Sequence, residues 1–594
     1  MSHPRRFGPG RLVSGALVLL IAALVVLAAA GVVRAAGDSG QAAAASKRGG
    51  TITVLSAGDV DHIDPGAAYY QFTYEITYAT QRPLLAYKPS SIKPSLDLAA
   101  AMPKYSNGGR TVTVTIRRGV RFSPPVNREV TSSDVKYAIE RGFATSVANS
   151  YASAYFGVIV GAPASGTRSV PNISGIRTPN RYTLVFHLKR PSGVFTYALA
   201  QPLTAPVPEG YARKFDSETL STYGTHQVAT GPYMIKANAS GSINGVGYKP
   251  GQLIQLVRNP NWKASTSWRP AYADQVLFKE GFQDPTVQAR TILSGGADVN
   301  GDTPPPAAEL QSIVSNPSQK TQLVFTPAGG SRYVALNTSK PPFDKLLVRR
   351  AVAYVLDRNA MRLTRGGEID GRIATHFIDP SFGTYGFTQA GGLTFNPFPS
   401  AGSAGNVAKA KALMRQAGYA NGMYSGPQIT MVADSTPPGS NTAQVVANGV
   451  AKIGFNVKTI SVTHSSMYTR FCNVPKNEPN VCPNVGWLPD FHDAQAILDV
   501  TFNGKQILPV NNSNWPQLDN AKINAEIAHA EKILDPAARA KAWGEVDKQV
   551  TQTAAAVPWL WENWPSLYSK RVTHASERWN GGAPDVTFMA VAPS

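Results

Sequence analysis

The chain has 594 residues, 43% hydrophobic and only 16% charged, enough apolar material for several buried cores and the opposite of a disordered composition. Its net charge is +20, yet basic residues never run longer than pairs such as Arg117-Arg118 and Arg349-Arg350. No zinc-finger or RNA-binding signature accompanies them, which argues against nucleic acid as a partner, and 52 Gly and 45 Pro in no fixed period exclude collagen-like classes.

Residues 1–36 carry Arg5, Arg6, Arg11 and Arg34 and no acid, around an uncharged apolar stretch from Ala16 to Val33. That pattern reads as a signal peptide or an uncleaved N-terminal anchor, and Val33-Arg34-Ala35 puts small residues where a signal peptidase reads. No cysteine lies nearby, so lipid attachment through an N-terminal cysteine is not expected. Residues 37–48 are small and polar, the composition of a flexible linker. The remainder is expected to be exported and extracytoplasmic, in the periplasm or at the outer face of the cytoplasmic membrane.

Thr51 to Ser56 reads as a strand, and an aromatic segment follows at Tyr69, Tyr70, Phe72, Tyr74 and Tyr78. Apolar and polar residues alternate from Val112 to Ile116 and from Tyr182 to Leu188, predicting two half-buried strands. Thr131-Ser132-Ser133-Asp134 is a helix start signal continued by Val135, Ala138, Ile139 and Gly142. Asp344 is expected to cap a helix whose stripe is Val348, Ala351, Val352 and Val355, ending near Met361. Val407, Ala410, Met414 and Ala417 predict another, closed by Gly418. Ile523, Ile527, Ala530 and Leu534 predict one more, and Asp535-Pro536 starts the helix of Ala540, Trp543, Val546 and Val550. Strands and helices alternate throughout, so the fold class is α/β or α+β in several lobes.

The only cysteines are Cys472 and Cys482, and export makes a disulfide the expected state rather than two free thiols. The nine histidines are scattered, without a His-Glu-x-x-His or a His/Cys cluster. No Gly-x-Ser-x-Gly elbow, Walker lysine or Gly-x-Gly-x-x-Gly appears. The residues therefore point to no enzyme, no cofactor and no metal. A secreted hydrolase with two acids distant in sequence is the rival.

Five segments in order, RTVTVTIRRGVRFSPPVNREVTSSDVKYAIER (Arg110 to Arg141), TGPYMI with VRNPNW (Thr230 to Trp262), RYVALNTSKPPFDKLLVRRAVAYVLDR (Arg332 to Arg358), AKALMRQAGY (Ala410 to Tyr419) and GWLPDFHD (Gly486 to Asp493), carry a resemblance. Together they resemble the family 5 extracellular solute-binding proteins of ABC importers, the oligopeptide and dipeptide binders. The resemblance implies an α/β, two-lobed periplasmic-binding-protein-like fold of the class II or cluster C type, with three domains and a hinge. By position, domain I is 49–86, 226–330 and 560–594, an inserted domain II is 87–225, and domain III is 331–559. Hinge strands are expected near Gly329 to Arg332 and Trp559 to Trp561.

The resemblance also implies ligand-binding residues. Asp490 would hold the α-ammonium of a short peptide, with Gly486, Trp487 and Leu488 beside the ligand backbone. Tyr69, Tyr70 and Gln71 would form a ligand-pairing strand on the opposite lobe. A carboxylate in a closed cleft is costly unless it meets a cation, and strand-like pairing reads main chain rather than side chains. The implied partners are a peptide and an ABC permease, the implied state is a monomer, and a nickel chelate or an oligosaccharide is the alternative ligand.

Overall fold

The computed structural model describes residues 48–89, 91–217, 219–577 and 584–592. The expected export segment and all but the last residue of the linker lie outside the described residues. Among the described residues no helix is long and apolar enough to cross a membrane.

Three larger sheets organise the chain. In the first, Thr51–Leu55 pairs in parallel with Gln275–Lys279 and with Val299–Asn300, and Leu253–Arg258 and Tyr233–Ile235 extend it antiparallel. The second is antiparallel, in the order Lys104–Ser106, Thr111–Thr115, Thr183–His187, Ile176–Asn180. Its two central strands are those with the alternating pattern, and their burial alternates in step. The third is mixed, in the order Gly371–Arg372, Ala556–Leu567, Leu323–Leu336, Val481–Trp487, Ile429–Asp434, Val457–Val462.

Two long strands dominate the third sheet. Leu323–Leu336 and Ala556–Leu567 pair antiparallel as Leu323 to Pro327 with Asn563 to Leu567, and as Ser331 to Ala335 with Ala556 to Trp561. The ladder breaks between Pro327 and Ser331, at the Gly329-Gly330 pair. Gly329 has φ +72°, a conformation most side chains resist. At Gly330 a Cβ would collide with the Trp487 carbonyl oxygen, so the glycine lets two strands approach.

The helices follow local chemistry with two corrections. Ser132–Arg141 begins at a capping box of Thr131 and Asp134, and Val407–Gln416 is followed by Gly418 at φ +101°. The expected single helix to Met361 is instead two, Leu346–Val355 and Arg358–Leu363, because the Asp357 carboxylate accepts from Ala360 N–H and starts a new helix. Asp344 does not cap the first of them; Lys345 stands at that position. Ala521–Ala530 stops before Leu534, which is 47% exposed, and Asp535 caps Pro536–Gln552.

The largest apolar cluster is shared between distant parts of the chain. It joins Val112, Phe156, Phe186 and Phe195 to Tyr333, Trp487, Phe491 and Trp543. The packing therefore runs continuously across the place where the second and third sheets meet.

Candidate functional site

Asp490 follows the strand Val481–Trp487 by three residues and is only 6% exposed. Its Oδ2 accepts from the Tyr69 hydroxyl (2.8 Å) and from the Tyr155 hydroxyl, and Gln201 Nε2 donates to its carbonyl oxygen (3.1 Å). Among the described residues no basic side chain pairs with it, and no donor reaches Oδ1. Burial pushes its carboxyl up to about 7, against the pull of the Tyr155 and Tyr69 hydrogen bonds.

Tyr69 is placed by an acid that the sequence reading passed over. Asp61 Oδ2 accepts from the backbone N–H of Tyr69 (2.8 Å) and of Tyr70 (3.2 Å), and its Oδ1 accepts from Thr73. Asp64, within the same loop, is bound by Arg141 Nη1 (2.8 Å) and Nη2 (2.7 Å) in a buried bidentate pair. Tyr70 is extended and precedes the helix Gln71–Thr80, which Gln71 opens. The expected ligand-pairing strand at Tyr69, Tyr70 and Gln71 is therefore a helix start, since Asp61 takes the N–H groups that a ladder would use.

The structure brings Tyr69, Trp487 and Asp490 together. The Tyr69 ring meets Trp487 edge-on with centroids 5.7 Å apart and lies 5.0 Å from Tyr151. Trp487 Nε1 donates to the Ala496 carbonyl (2.7 Å), which orients the indole. Gly486 lies opposite Arg332 in the ladder, and a Cβ there would fall 2.9 Å from Arg332 Cδ. Leu488 is half-buried beside Gly330, and Tyr70 and Gln71 lie beside the contact rather than in it.

Cys472 and Cys482 form a disulfide, with Cα atoms 6.5 Å apart. It ties the helical turn Met467–Cys472 to the strand Val481–Trp487. Tyr468, on that turn, accepts the Gly486 N–H at 3.2 Å, so the bridge holds both partners of this bond.

Tyr155, Gln201, Asp61 and Tyr468 are the residues that sequence reasoning missed. Tyr155 sits on the five-residue helix Ala152–Phe156, too short for a periodic signal. Only its aromatic neighbours in the run SYASAYF could have marked it.

A buried acid facing aromatic rings from other parts of the chain, beside a sheet with two long shared strands, is the layout of a two-lobed binding protein. The chain belongs to family 5 of the bacterial extracellular solute-binding proteins, whose model for the middle region matches residues 93–508. A curated relative, the glutathione-binding protein GsiB of Salmonella choleraesuis, is 23% identical over 79% of this chain and 81% of its own. Among solved structures, Clavulanic acid biosynthesis oligopeptide binding protein 2 superposes with a TM-score of 0.78 at 26% identity, covering 92% of this chain and 96% of that one. The periplasmic binding protein DppA from Helicobacter pylori, in complex with the peptide STSA, gives 0.76 at 19% identity, covering 92% and 99%. The fold is the two-lobed, mixed α/β fold of these binding proteins.

Proposed function

We propose that this protein is the extracytoplasmic receptor of an ABC importer, that it captures short peptides with a free amino terminus between its lobes, and that Asp490 holds the ammonium. The observation that carries the reading is the buried Asp490 carboxyl, which among the described residues has two phenol donors, none at its second oxygen and no cation. A ligand ammonium would supply the missing charge, and such charge-assisted bonds are the strong ones. The GsiB relative and the peptide-bound DppA support a peptide over a chelate or an oligosaccharide.

The domain assignment belongs to the same reading. Residues 49–86, 226–330 and 560–594 form domain I, 87–225 domain II and 331–559 domain III. The strands Leu323–Leu336 and Ala556–Leu567 serve as the hinge, with the glycine pair absorbing the dihedral change. Gly486, Trp487, Leu488, Tyr69, Tyr70 and Gln71 surround the ligand, and the receptor works as an exported monomer that docks on a permease. Nothing is cleaved, so the ligand leaves unchanged.

Calorimetry with trialanine and N-acetyl-trialanine tests this. The free peptide should bind at micromolar strength, roughly 8 kcal/mol, and the acetylated one should not bind. Equal binding of the two would overturn the role of Asp490. Mass spectrometry of the ligand after long incubation should return it intact.

A further inference from the structure

We infer that the open face of the second sheet is a docking surface for an anionic phospholipid membrane. Residues 87–225 hold 17 Lys and Arg against 7 Asp and Glu, a net +10 that is half the charge of the whole chain in less than a quarter of its length. Four of those acids are withdrawn from the surface. Asp97, Asp134, Glu140 and Asp216 are buried, each paired with an arginine or a lysine. The charge that the segment presents to solvent is therefore predominantly positive.

Strand register decides where that charge lies. Val112, Val114, Leu184 and Phe186 point into the core, so the alternate residues of both central strands face the other way. Lys104, Thr113, Val185 and Arg177 stand in one row across the four strands, with an exposed cation at each end and short side chains between. The neighbouring rows, Ser106-Thr111-His187 and Thr115-Thr183-Asn180, hold no acid. At one end of the sheet Arg118 stacks over the Tyr182 ring at 4.7 Å. Glu129, the acid at that end, is half-buried, accepts from the Tyr182 hydroxyl (3.2 Å) and meets Arg181 at 3.9 Å, whereas among the described residues Lys104, Arg118 and Arg177 pair with no acid.

The shape and the chemistry select the partner. A sheet face of threonines edged by long cations matches a plane of phosphates: hydroxyls donate to phosphate oxygens, and each Lys or Arg near an anionic bilayer strengthens binding about fivefold. A solute-binding protein of an extracellular family works beside the cytoplasmic membrane, so a phospholipid leaflet is the anionic plane at hand. The buried side of the same sheet packs into the cluster that contains Trp487 and Phe491. The open face therefore looks away from Asp490, and contact with a membrane leaves the candidate ligand site free.

All the sheets lie within residues 48–594, which form one compact unit, so this body can be tested without the apolar N-terminal stretch, which would itself enter vesicles. The experiment is co-sedimentation with vesicles of phosphatidylcholine alone and of an equal mixture with phosphatidylglycerol. The body should bind the anionic vesicles and not the neutral ones, and release as salt rises from about 0.05 to 0.5 M. Lys104→Gln with Arg177→Gln should weaken binding about 25-fold. Lys409→Gln with Lys522→Gln, the same change of net charge at exposed positions on two helices outside the segment, should weaken it by less than about threefold. Both variants should keep the wild-type melting temperature and peptide affinity. Equal binding to the two kinds of vesicle, or none to either, would overturn the membrane as partner. Equal losses in the two variants would overturn the sheet face as the contact. Binding to soluble polyphosphate with none to anionic vesicles would overturn the lipid surface in favour of a free polyanion. Vesicle binding is read without peptide, so its outcome stands apart from the ammonium reading of Asp490.

Discussion

At Asp490 the electrostatics give a pH signature. Its carboxyl is raised from 3.8 to about 7 by burial, so the folded protein holds this proton more tightly than the unfolded chain does. Between pH 4 and 7 the unfolded chain releases it first, and Asp490 increasingly costs stability as pH rises, up to about 4 kcal/mol above pH 7. Asp490→Asn removes the titration, so its gain in melting temperature over wild type should be larger at pH 8 than at pH 5, while peptide binding is lost. Wild-type peptide affinity should fall about tenfold per pH unit below 7 and level off above it, because an ammonium ligand needs the ionised acid. A flat affinity from pH 5 to 8 would contradict an ammonium at this carboxylate.

At the scale of elements, the disulfide and the glycine pair bear on the same strand. Closing a loop this short stabilises by roughly 2 to 3 kcal/mol. The double variant Cys472→Ser with Cys482→Ser should lose that much in denaturant unfolding. It should also bind peptide more weakly, because the Tyr468 to Gly486 bond is no longer held from both ends. Gly330→Ala drives a methyl group into the Trp487 carbonyl, and should lower stability by about 1 to 3 kcal/mol, the usual range for overpacking. Helix starts such as Thr131 and Asp535 were legible because capping is local chemistry. Asp490 was named only through the family resemblance that GWLPDFHD and the other four segments carry together. The start of the helix Gln71–Thr80 was not legible, since its aromatic run shows no helical period, the resemblance implied a pairing strand there, and only Asp61, eight residues before Tyr69, reveals otherwise. Tyr155 and Gln201 stayed hidden for a related reason: they lie 335 and 289 residues from Asp490, and long-range contact leaves no trace in periodicity.

Across the whole molecule, the proposed domain assignment predicts that parting of the lobes breaks Tyr69 and Tyr155 from Asp490 and the Arg190 to Glu531 ion pair, which bridges the second sheet's connections and the end of helix Ala521–Ala530. Arg190 is 34% exposed, so this pair is screened. Arg190→Ala should weaken peptide binding by no more than about fivefold. Small-angle scattering with saturating peptide should give the same radius of gyration for wild type and variant, whereas at subsaturating peptide the variant should be the larger. The packing of Trp487 against Tyr69 on one side and Trp515, 5.8 Å away, on the other carries one more consequence. Trp543 and Trp559 are fully enclosed, whereas in the proposed opening Trp487 exchanges a tyrosine ring for water. Its emission would therefore shift to the blue on closure, so the chain's own fluorescence reports ligand capture in real time without a dye or a label.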